Sequence, residues 1–281
     1  MKPLKTVTIV GVGLMGGSIG LALRKRNMAE KVVGVGRRQV SLRVARRVGA
    51  VTNTTIDLAG GVDGADLVVV SSPVGMIIDH VKQVAAACPE GTLITDTGSA
   101  KQAIVDALDS GLPRGCRFLG SHPLCGSEKS GAVNADENLF EGAMTVITPT
   151  RNTRAEDFDL LEQFWSEMGS MVVQMPAEEH DQALALTSHL PHMAAAALAN
   201  TVPEQYLRLT AQGMRDTTRL ASGDAELWVH ILSLNRDNVL KALQQYGAQL
   251  TALHSAIRDN DEEKLRQFLT SAKKNRDALG S

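Results

Sequence analysis

A short apolar strand that runs directly into a glycine-rich turn is the feature that most restricts the fold of this chain. Residues 6–10 (TVTIV) are β-branched and almost wholly apolar, which predicts a strand buried on both faces. The turn at residues 11–16 (GVGLMG) follows at once, and the spacing of residues 18–26 predicts a helix. A GxGxxG between a buried strand and a helix is typical of a dinucleotide-binding βαβ unit.

The residues of this turn suit the binding of phosphate groups. Gly11 permits the tight turn, Gly13 lets the main chain approach a pyrophosphate, and Gly16 lets helix and strand pack closely. The helix start adds main-chain N–H groups and the positive end of the helix dipole. We therefore predict that Gly11, Gly13, Leu14, Met15 and Gly16 bind the cofactor. A glycine turn without a ligand is the alternative.

The end of the second predicted strand, residues 31–35, bears on the choice between NAD and NADP. An NAD site places Asp or Glu there to bind the ribose 2′-hydroxyl. This chain has Gly36, Arg37 and Arg38 and no nearby carboxylate. Guanidinium groups suit the 2′-phosphate of NADP, so the sequence favours NADP over NAD. The alternative is that both arginines simply face solvent.

Strand and helix patterns alternate through the first half of the chain, which predicts a doubly wound parallel sheet of the Rossmann type. Further strands are predicted at residues 51–54, 66–71, 93–95, 117–120 and 144–148. Ser72, Pro73 and Ser99 each follow a predicted strand, at the carboxyl edge where ligands bind. These residues are therefore site candidates, although Ser99 could also cap the next helix.

The segment at residues 120–131 (GSHPLCGSEKSG) carries a histidine, a glutamate and a lysine within eight positions, which are residue types that move protons and hold anions. Its glycines and proline predict an irregular loop and exclude a regular helix or strand. The preceding strand brings it to the same sheet edge, and His122 is a candidate proton acceptor there. We interpret Cys125 as a small buried residue, with a reactive thiol as the alternative, and Lys129 as a solvated side chain.

Helical patterns dominate after residue 176. This predicts a dinucleotide-binding domain over residues 1–176 and an all-helical domain over residues 177–281 for substrate binding and dimerisation. Pro191 is expected to kink an alanine-rich helix beside His189 and His192, for which a purely structural role is the alternative. Their spacing lacks the glutamate and third ligand of a zinc site, so no metal is predicted.

Two other patterns in the helical half suggest functions. A long helix over residues 235–258 carries apolar side chains at intervals of three and four, which predicts a seam buried partly against a second subunit. The seam consists of Val239, Leu243, Tyr246, Leu250, Leu253 and Ile257. Arg215 and Arg219 would share a face if their segment is helical, which suggests anion capture; a solvated face is the alternative.

Composition restricts the partners and the location. The formal net charge of −2 and only 3% aromatic residues argue against a nucleic-acid partner. No apolar run is long enough to span a membrane. The three cysteines form no CxxC pair and the chain start shows no signal peptide. We therefore expect a cytoplasmic protein that acts on a small molecule.

Five segments together resemble the prephenate/arogenate dehydrogenase family of tyrosine biosynthesis. They are GVGLMGGS, TDTGSAK, GSHPLCGSEKSG, TSHLPH and MRDTTRLASGDAELW, in this order over nearly the whole chain. The resemblance implies a homodimer that uses NAD or NADP for the oxidative decarboxylation of prephenate to 4-hydroxyphenylpyruvate, or of arogenate to tyrosine. Gly36 departs from the acid found in many NAD-using relatives.

The resemblance also implies roles for individual residues. His122 resembles the catalytic histidine that hydrogen-bonds the ring hydroxyl of the substrate, and Ser99 resembles the serine that assists it. Arg219 resembles the arginine that binds a substrate carboxylate. The remaining pocket residues implied are Ser188, His192, Glu128 and Trp228, the last of which could reach across a dimer.

Two other functions remain as alternatives. A different Rossmann dehydrogenase, such as a β-hydroxyacid dehydrogenase, would carry a catalytic lysine in its helical domain, and no such motif is visible. A non-catalytic NADP-binding sensor would bind the dinucleotide without turnover, and would leave His122 and Arg219 without a joint purpose.

Overall fold

The computed structural model describes residues 2–127 and 129–280, which form two compact units, Met1–Asn235 and Arg236–Ser281. The first unit contains a six-stranded sheet in the order β3-β2-β1-β4-β5-β6, with every neighbouring pair parallel. Its strands are β1 (Leu4–Val10), β2 (Ala29–Val35), β3 (Asn53–Thr55), β4 (Leu67–Val70), β5 (Leu93–Asp96) and β6 (Arg117–Phe118). The predicted doubly wound parallel sheet is thus confirmed.

Side chains alternate along the central strands and so build two separate cores on the two faces of the sheet. Val7 and Ile9 of β1 enter one core, whereas Val10 enters the other, together with Val68 and Val70 of β4. Helices cover both faces, which explains why these strands are apolar throughout and do not alternate with polar residues.

Ten α-helices belong to the described part of this first unit. They are α1 (Leu14–Lys25), α2 (Gln39–Arg47), α3 (Leu58–Val62), α4 (Ile77–Ala87), α5 (Gln102–Leu108), α6 (Ala155–Glu167), α7 (Ala177–Leu184), α8 (Leu190–Thr201), α9 (Gln212–Thr218) and α10 (Ala225–Leu234). The five-residue α3 is not predicted from the sequence, because its LAGGV sequence carries no helical period.

A second, three-stranded sheet corrects two predictions. It consists of β7 (Gly120–Pro123), β8 (Met144–Thr148) and β9 (Met171–Gln174), with β7 antiparallel to β8. Residues 144–148 therefore do not close the parallel sheet, and the first four residues of the expected loop form a strand. Proline is compatible with β7 because this is an edge strand and Pro123 is its last residue.

The helix interrupted by Pro191 is distorted where the sequence predicts it. Residues Ala185–His189 form a π-helical turn between α7 and α8. Pro191 has no N–H to donate, and its ring crowds the carbonyl four residues earlier, so the turn before it widens. The distortion sets Ser188 and His189 at a wide turn between two regular helices.

Residues 210–220 do not form one helix. Helix α9 ends at Thr218, and Arg219 begins a separate 3₁₀ turn, Arg219–Ser222. Arg215 and Arg219 thus do not belong to one continuous α-helix, so helical spacing gives no shared face. Gly223 follows this turn and is extended (φ −64°, ψ 156°) before α10 begins.

The second unit contains α11 (Arg236–Arg258) and α12 (Glu262–Ala278). The Asp261 carboxylate accepts a hydrogen bond from the Lys264 main-chain N–H and caps α12. Much of the predicted apolar seam on α11 is exposed in the single chain, by 36% to 60% at Leu243, Tyr246, Leu250 and Ile257. No helix in the described residues has both the length and the hydropathy needed to cross a membrane.

Candidate active site

The glycines at the start of α1 differ in what surrounds them. A Cβ on Gly11, whose φ is +95°, would lie 2.6 Å from the carbonyl oxygen of Ser71, and a Cβ on Gly16 would lie 2.2 Å from that of Gly11. Gly11 and Gly16 are therefore required for packing. Gly13 has no described atom within 4 Å of a Cβ position, so the space beside it is open.

This open space fits a dinucleotide phosphate. Gly13 is the N-cap of the 12-residue α1 and supplies no side-chain cap, so the first N–H groups of the helix are not capped by a side chain at that position. Leu14 and Met15 begin the helix. A Cβ on Gly126 would lie 4.0 Å from Cε of Met15, so the segment after β7 lies close to the glycine turn.

The ends of β2 and β4 carry the remaining residues that are expected to line the cofactor site. Arg37 and Arg38 are exposed, and the hydroxyl of Ser72 is 2.8 Å from Nδ1 of His80. Burial, and then the positive charge of Arg37, lower the pKa of His80. A Cβ on Gly36 would lie 3.1 Å from Cδ2 of Leu42, so an acidic side chain at this position would press on the core. Pro73 is exposed beside Ser72.

His122 lies on β7, and its neighbour Ser121 points to the opposite side of that strand. His122 pairs in register with Val146 of β8, and Gly120–Pro123 are all buried. The Ser121 hydroxyl donates to the main-chain oxygen of Asp96 at 2.6 Å, which ties β7 to the end of β5. The placement of His122 is therefore fixed by two sheets.

A chain of three side chains extends from His122 into the helical part of the unit. Nδ1 of His122 is 2.9 Å from Nε2 of His180, and Nδ1 of His180 is 2.8 Å from Oδ1 of Asp181. The two Asp181 oxygens also accept the main-chain N–H groups of Lys101 and Gln102, at 2.8 and 3.0 Å. Asp181 therefore holds α7, α5 and the histidine pair together.

Next to the strand that carries His122 lies a buried ion pair that was not predicted from the sequence. Lys101 and Asp96 are both fully buried, and the Lys101 ammonium donates to the Asp96 carboxylate. Lys101 also donates to the main-chain oxygen of Ser121 at 3.1 Å. Asp96 accepts from the N–H groups of Gly98 and Ser121 as well. This ion pair fixes both ends of the loop that carries Ser99.

Burial keeps these groups in particular protonation states. It is the largest cause of the lowered pKa of His122, and the nearby His180, Lys101 and His189 lower it further. His122 is therefore neutral near pH 7 and able to accept a proton. Burial also lowers the pKa of Lys101, while Asp96 opposes that effect.

His189 lies beside Ser99 and belongs to the same site. The amide nitrogen of Asn235 is 3.2 Å from Nδ1 of His189 and also donates to the main-chain oxygen of Asp181 at 2.7 Å. The His189 ring lies close to the main chain of Ser99, and its Nε2 has no hydrogen-bond partner among the described groups. Burial lowers the pKa of His189 to about 4, so its ring is neutral.

A second aromatic group lies on α8 and α10. The ring of His192 stacks on Trp228 with centroids 3.6 Å apart and planes 16° apart, and burial lowers the pKa of His192. Gly223 touches both rings, since a Cβ there would lie 2.6 Å from Trp228 Nε1 and 2.8 Å from His192. The turn that begins at the exposed Arg219 packs against α8. Trp228 thus stacks on His192 of the same chain.

The predicted residues therefore form neighbouring groups around β7, α8 and α10. Ser188 is half-buried on the π-helical turn next to His189. Burial raises the pKa of the Cys125 thiol to about 12, in agreement with an unreactive residue. Lys129 is exposed. Glu128 lies outside the described residues.

His180, Asp181, Lys101 and Asp96 were missed as site residues. A His-Asp pair in a helix and a lysine in a TDTGSAK segment give no periodic signal, because their partners lie up to 80 residues away. The described residues contain no group of three or more His, Cys, Asp or Glu side chains that could hold a metal ion.

Comparison with known proteins places the chain in a family. Residues 19–174 match the model of the nucleotide-binding domain of prephenate dehydrogenase, and residues 176–271 match that of its dimerization domain. The chain belongs to the prephenate dehydrogenase family. Curated relatives in this family include prephenate dehydrogenase of Bacillus subtilis, 32% identical over 98% of this chain and 76% of that protein. Another is cyclohexadienyl dehydrogenase of Zymomonas mobilis, 32% identical over 99% of this chain and 97% of that protein.

Solved structures in the prephenate dehydrogenase family share the whole fold. The prephenate dehydrogenase of Aquifex aeolicus in complex with hydroxyphenyl propionate and NAD⁺ has a TM-score of 0.91, with 33% identity and 98% of each chain covered. The Synechocystis arogenate dehydrogenase has a TM-score of 0.80, with 29% identity over 98% of this chain and 99% of that chain. The protein is thus an NAD(P)-dependent oxidoreductase with a dimerisation domain.

Proposed function

We propose that the protein catalyses the NAD(P)-dependent oxidative decarboxylation of prephenate to 4-hydroxyphenylpyruvate. The observation that carries this proposal is the neutral, buried His122, held at the carboxyl edge of the sheet beside the Ser99 loop. The reaction removes a hydride from the ring carbon that bears the hydroxyl, and loss of CO₂ makes the ring aromatic. It therefore requires a group that accepts the hydroxyl proton.

His122 is the proposed proton acceptor. Its pKa lies well below the usual range because the ring is buried among other positive or protonatable groups, so it is neutral under ordinary conditions. Ser99 would hydrogen-bond the same hydroxyl from the loop after β5. A neutral histidine is suited to this step because it accepts the proton without first losing one.

The substrate carboxylates need cationic or hydrogen-bonding partners, and Arg219 is the proposed clamp for one of them. A guanidinium binds a carboxylate through two parallel hydrogen bonds, which fixes orientation as well as charge. Ser188, His192 and Trp228 are the proposed further pocket residues, together with Glu128. The stack of His192 on Trp228 provides a flat apolar surface suited to a six-membered ring.

The cofactor would be held by Gly11, Gly13, Leu14, Met15 and Gly16. When bound, the nicotinamide accepts the hydride from the substrate ring. The open space beside Gly13 supports a role in binding the pyrophosphate, because no described atom lies within 4 Å of its Cβ position. Ser72 and Pro73 would line the cofactor site on the β4 side.

We propose a preference for NADP over NAD. Arg37 and Arg38 are exposed at the end of β2, and Gly36 supplies no acidic side chain for the ribose 2′-hydroxyl. Two guanidinium groups without a carboxylate beside them in the sequence suit a 2′-phosphate.

We further propose that two copies associate through the C-terminal helices as a homodimer. The apolar side chains that α11 exposes in the single chain support this arrangement. The division into a nucleotide-binding part over residues 1–176 and a helical part over residues 177–281 and the cytoplasmic location stay predictions. If the protein is a homodimer, the purified protein should elute in size-exclusion chromatography at twice the 30.0 kDa mass of one chain.

A four-way rate comparison tests the function. Prephenate and arogenate are each supplied with NAD and with NADP, and the absorbance of the reduced nicotinamide is followed. We expect prephenate with NADP to give the highest kcat/KM. The variant with both Arg37→Ala and Arg38→Ala should lose much more kcat/KM with NADP than with NAD, because only NADP carries the 2′-phosphate. Equal losses with both cofactors would disprove the assigned role of the two arginines.

Arogenate is the second candidate substrate, supported by the 0.80 TM-score with the Synechocystis arogenate dehydrogenase. Arogenate differs from prephenate only in an amino group where prephenate has a keto oxygen. If arogenate is turned over faster than prephenate, arogenate is the substrate, and the proposed chemistry is unchanged. Binding of the dinucleotide without turnover of either substrate would support a sensor and contradict an enzyme.

A further inference from the structure

The side chains of His180 and Asp181 are completely enclosed, and the overall reaction requires no direct contact with either of them. His180 is 0% and Asp181 1% exposed, yet a histidine and a carboxylate both lose hydration when buried. Both are hydrogen-bonded, and the bonds form a line that ends at His122. Such a costly arrangement of polar groups next to the candidate base calls for a function.

Hydrogen-bond chemistry fixes the direction of this line. Asp181 accepts main-chain N–H groups on both oxygens, from Lys101 on Oδ1 and from Gln102 on Oδ2, which favours an ionised carboxylate that only accepts. Nδ1 of His180 must therefore donate to Oδ1 of Asp181. In a neutral imidazole the other nitrogen is then an acceptor, so Nε2 of His180 accepts from Nδ1 of His122. This leaves Nε2 of His122 without a proton.

We propose that His180 and Asp181 are positioning residues that hold His122 with Nδ1 protonated and Nε2 ready to accept the proton of the substrate hydroxyl. In the step itself the O–H bond of the substrate breaks and an N–H bond forms at Nε2 of His122. The hydride leaves to the cofactor and the carboxylate leaves as CO₂. The inference rests on the proposed function for the identity of that hydroxyl. The position of the proton on His122 is independent of the proposed function.

The charged groups around His122 and His180 agree with this direction of hydrogen bonding, from His122 through His180 to Asp181. Lys101 and His189 are the other protonatable groups near His122, and both disfavour a positive charge on it before the substrate binds. The charge of Lys101 is itself neutralised in part by Asp96. Asp181 is the carboxylate in line with the histidine pair, so the positive charge that develops on His122 is stabilised through His180.

Variants of His180 separate positioning from packing. His180→Phe keeps a ring but removes both nitrogens. His180→Gln places an amide oxygen near the position of Nε2, where it can still accept from Nδ1 of His122. His180→Asn places its amide near the position of Nδ1 of His180, where it can hydrogen-bond Asp181 but not His122. The exposed His254, changed to Gln, serves as a control.

The kinetic readout is the split between kcat and KM. We expect His180→Phe and His180→Asn to lower kcat about 10²–10³-fold with KM changed less than about threefold, and His180→Gln to recover at least about tenfold of that loss. If His180→Phe does not fold, the comparison of the Gln and Asn variants still decides. Equal losses in these two folded variants would overturn the proposal, as would full activity in His180→Asn.

A spectroscopic readout in the full-length protein without substrate keeps this inference separate from the proposed function. Two-bond ¹H–¹⁵N correlation spectra of ¹⁵N-histidine-labelled protein show which ring nitrogen carries the proton, and His122→Asn identifies the His122 signals. We expect a protonated Nδ1 on His122 in the wild type and in His254→Gln, and loss of this state in His180→Phe. A protonated Nε2 in the wild type would overturn the inference whatever the substrate. A protonated Nδ1 without turnover of either substrate would refute only the proposed function.

Discussion

The two compact units of this chain contrast in the charged groups that one encloses and the apolar helix face that the other exposes. In Met1–Asn235, ionisable groups are enclosed: Asp96, Lys101 and His180 have no exposed surface. In Arg236–Ser281, large apolar side chains of α11 are exposed by up to 60%. One unit thus removes charge from water, while the other leaves hydrophobic surface in contact with it.

The difference shows which functions a single chain can complete. Each enclosed charge has partners from the same unit, since Asp96 binds Lys101 and Asp181 binds His180 and the start of α5. Such a network excludes water and holds its geometry without help. An exposed apolar helix face gains stability only when another surface covers it. The buried network is therefore complete within the chain, whereas the apolar face of α11 is left uncovered in the single chain.

The largest expected effect tests whether the enclosed network serves catalysis. His122→Asn keeps an amide near the position of Nδ1 but removes the nitrogen that would accept the proton. We expect kcat to fall about 10²–10⁴-fold, the range for loss of a general base, which is about 3–5 kcal/mol of activation free energy. Steady-state rates with the best substrate of the wild type measure this effect.

Cofactor affinity provides the control for this variant. Because His122 lies on β7 and not on the glycine turn, calorimetric titration with the dinucleotide should give a dissociation constant within about threefold of wild type. Turnover close to wild type would remove His122 from the mechanism. A large loss of cofactor affinity would instead mean that the substitution disturbs the fold.

The next effect tests whether the buried charges depend on each other. Lys101→Met keeps much of the side-chain length and apolar volume but leaves the carboxylate of Asp96 buried without its cation. We expect a loss of about 3–5 kcal/mol in the free energy of unfolding, measured by urea denaturation. Main-chain N–H groups of Gly98 and Ser121 still donate to Asp96 and limit the loss.

A double variant distinguishes charge from packing at this position. Combining Lys101→Met with Asp96→Asn removes both charges, so most of the lost stability should return. If the double variant is as unstable as Lys101→Met, the loss comes from packing and the ion pair has little role. A Lys101→Met protein with wild-type stability would contradict the interpretation of the network.

The parallel sheet and the glycine turn were predictable because their signals are local. The apolar strand before GVGLMG and the helix after it occupy adjacent positions, so one window of sequence contains the whole unit. The sequence also pointed to His122 as a candidate base, a role that stays a prediction, although its segment was assigned to a loop. The composition of Gly120–Pro123 resembles a loop, and only the pairing with β8 makes it a strand.

The partners of His122 were not predictable in the same way. His180 lies 58 residues and Asp181 59 residues after His122, and no periodic pattern links them. The sequence does not show that Lys101 is fully buried, since lysine is almost always exposed unless paired. Long-range polar contacts depend on tertiary packing, so the structure is needed to reveal how the candidate base is held.

The smallest expected effect concerns the exposed face of α11. Leu250 is 48% exposed in the single chain, and Leu250→Ala removes three carbon atoms from the proposed interface. We expect a loss of about 1 kcal/mol of association free energy per copy. Because a twofold interface contains each residue twice, the dissociation constant of the dimer should rise roughly thirtyfold. Sedimentation velocity over a dilution series measures this shift. Ile56→Ala in the other unit is the matched control, since Ile56 is 56% exposed and should leave association unchanged. Equal shifts in both variants, or none in Leu250→Ala, would mean that α11 does not form the dimer contact.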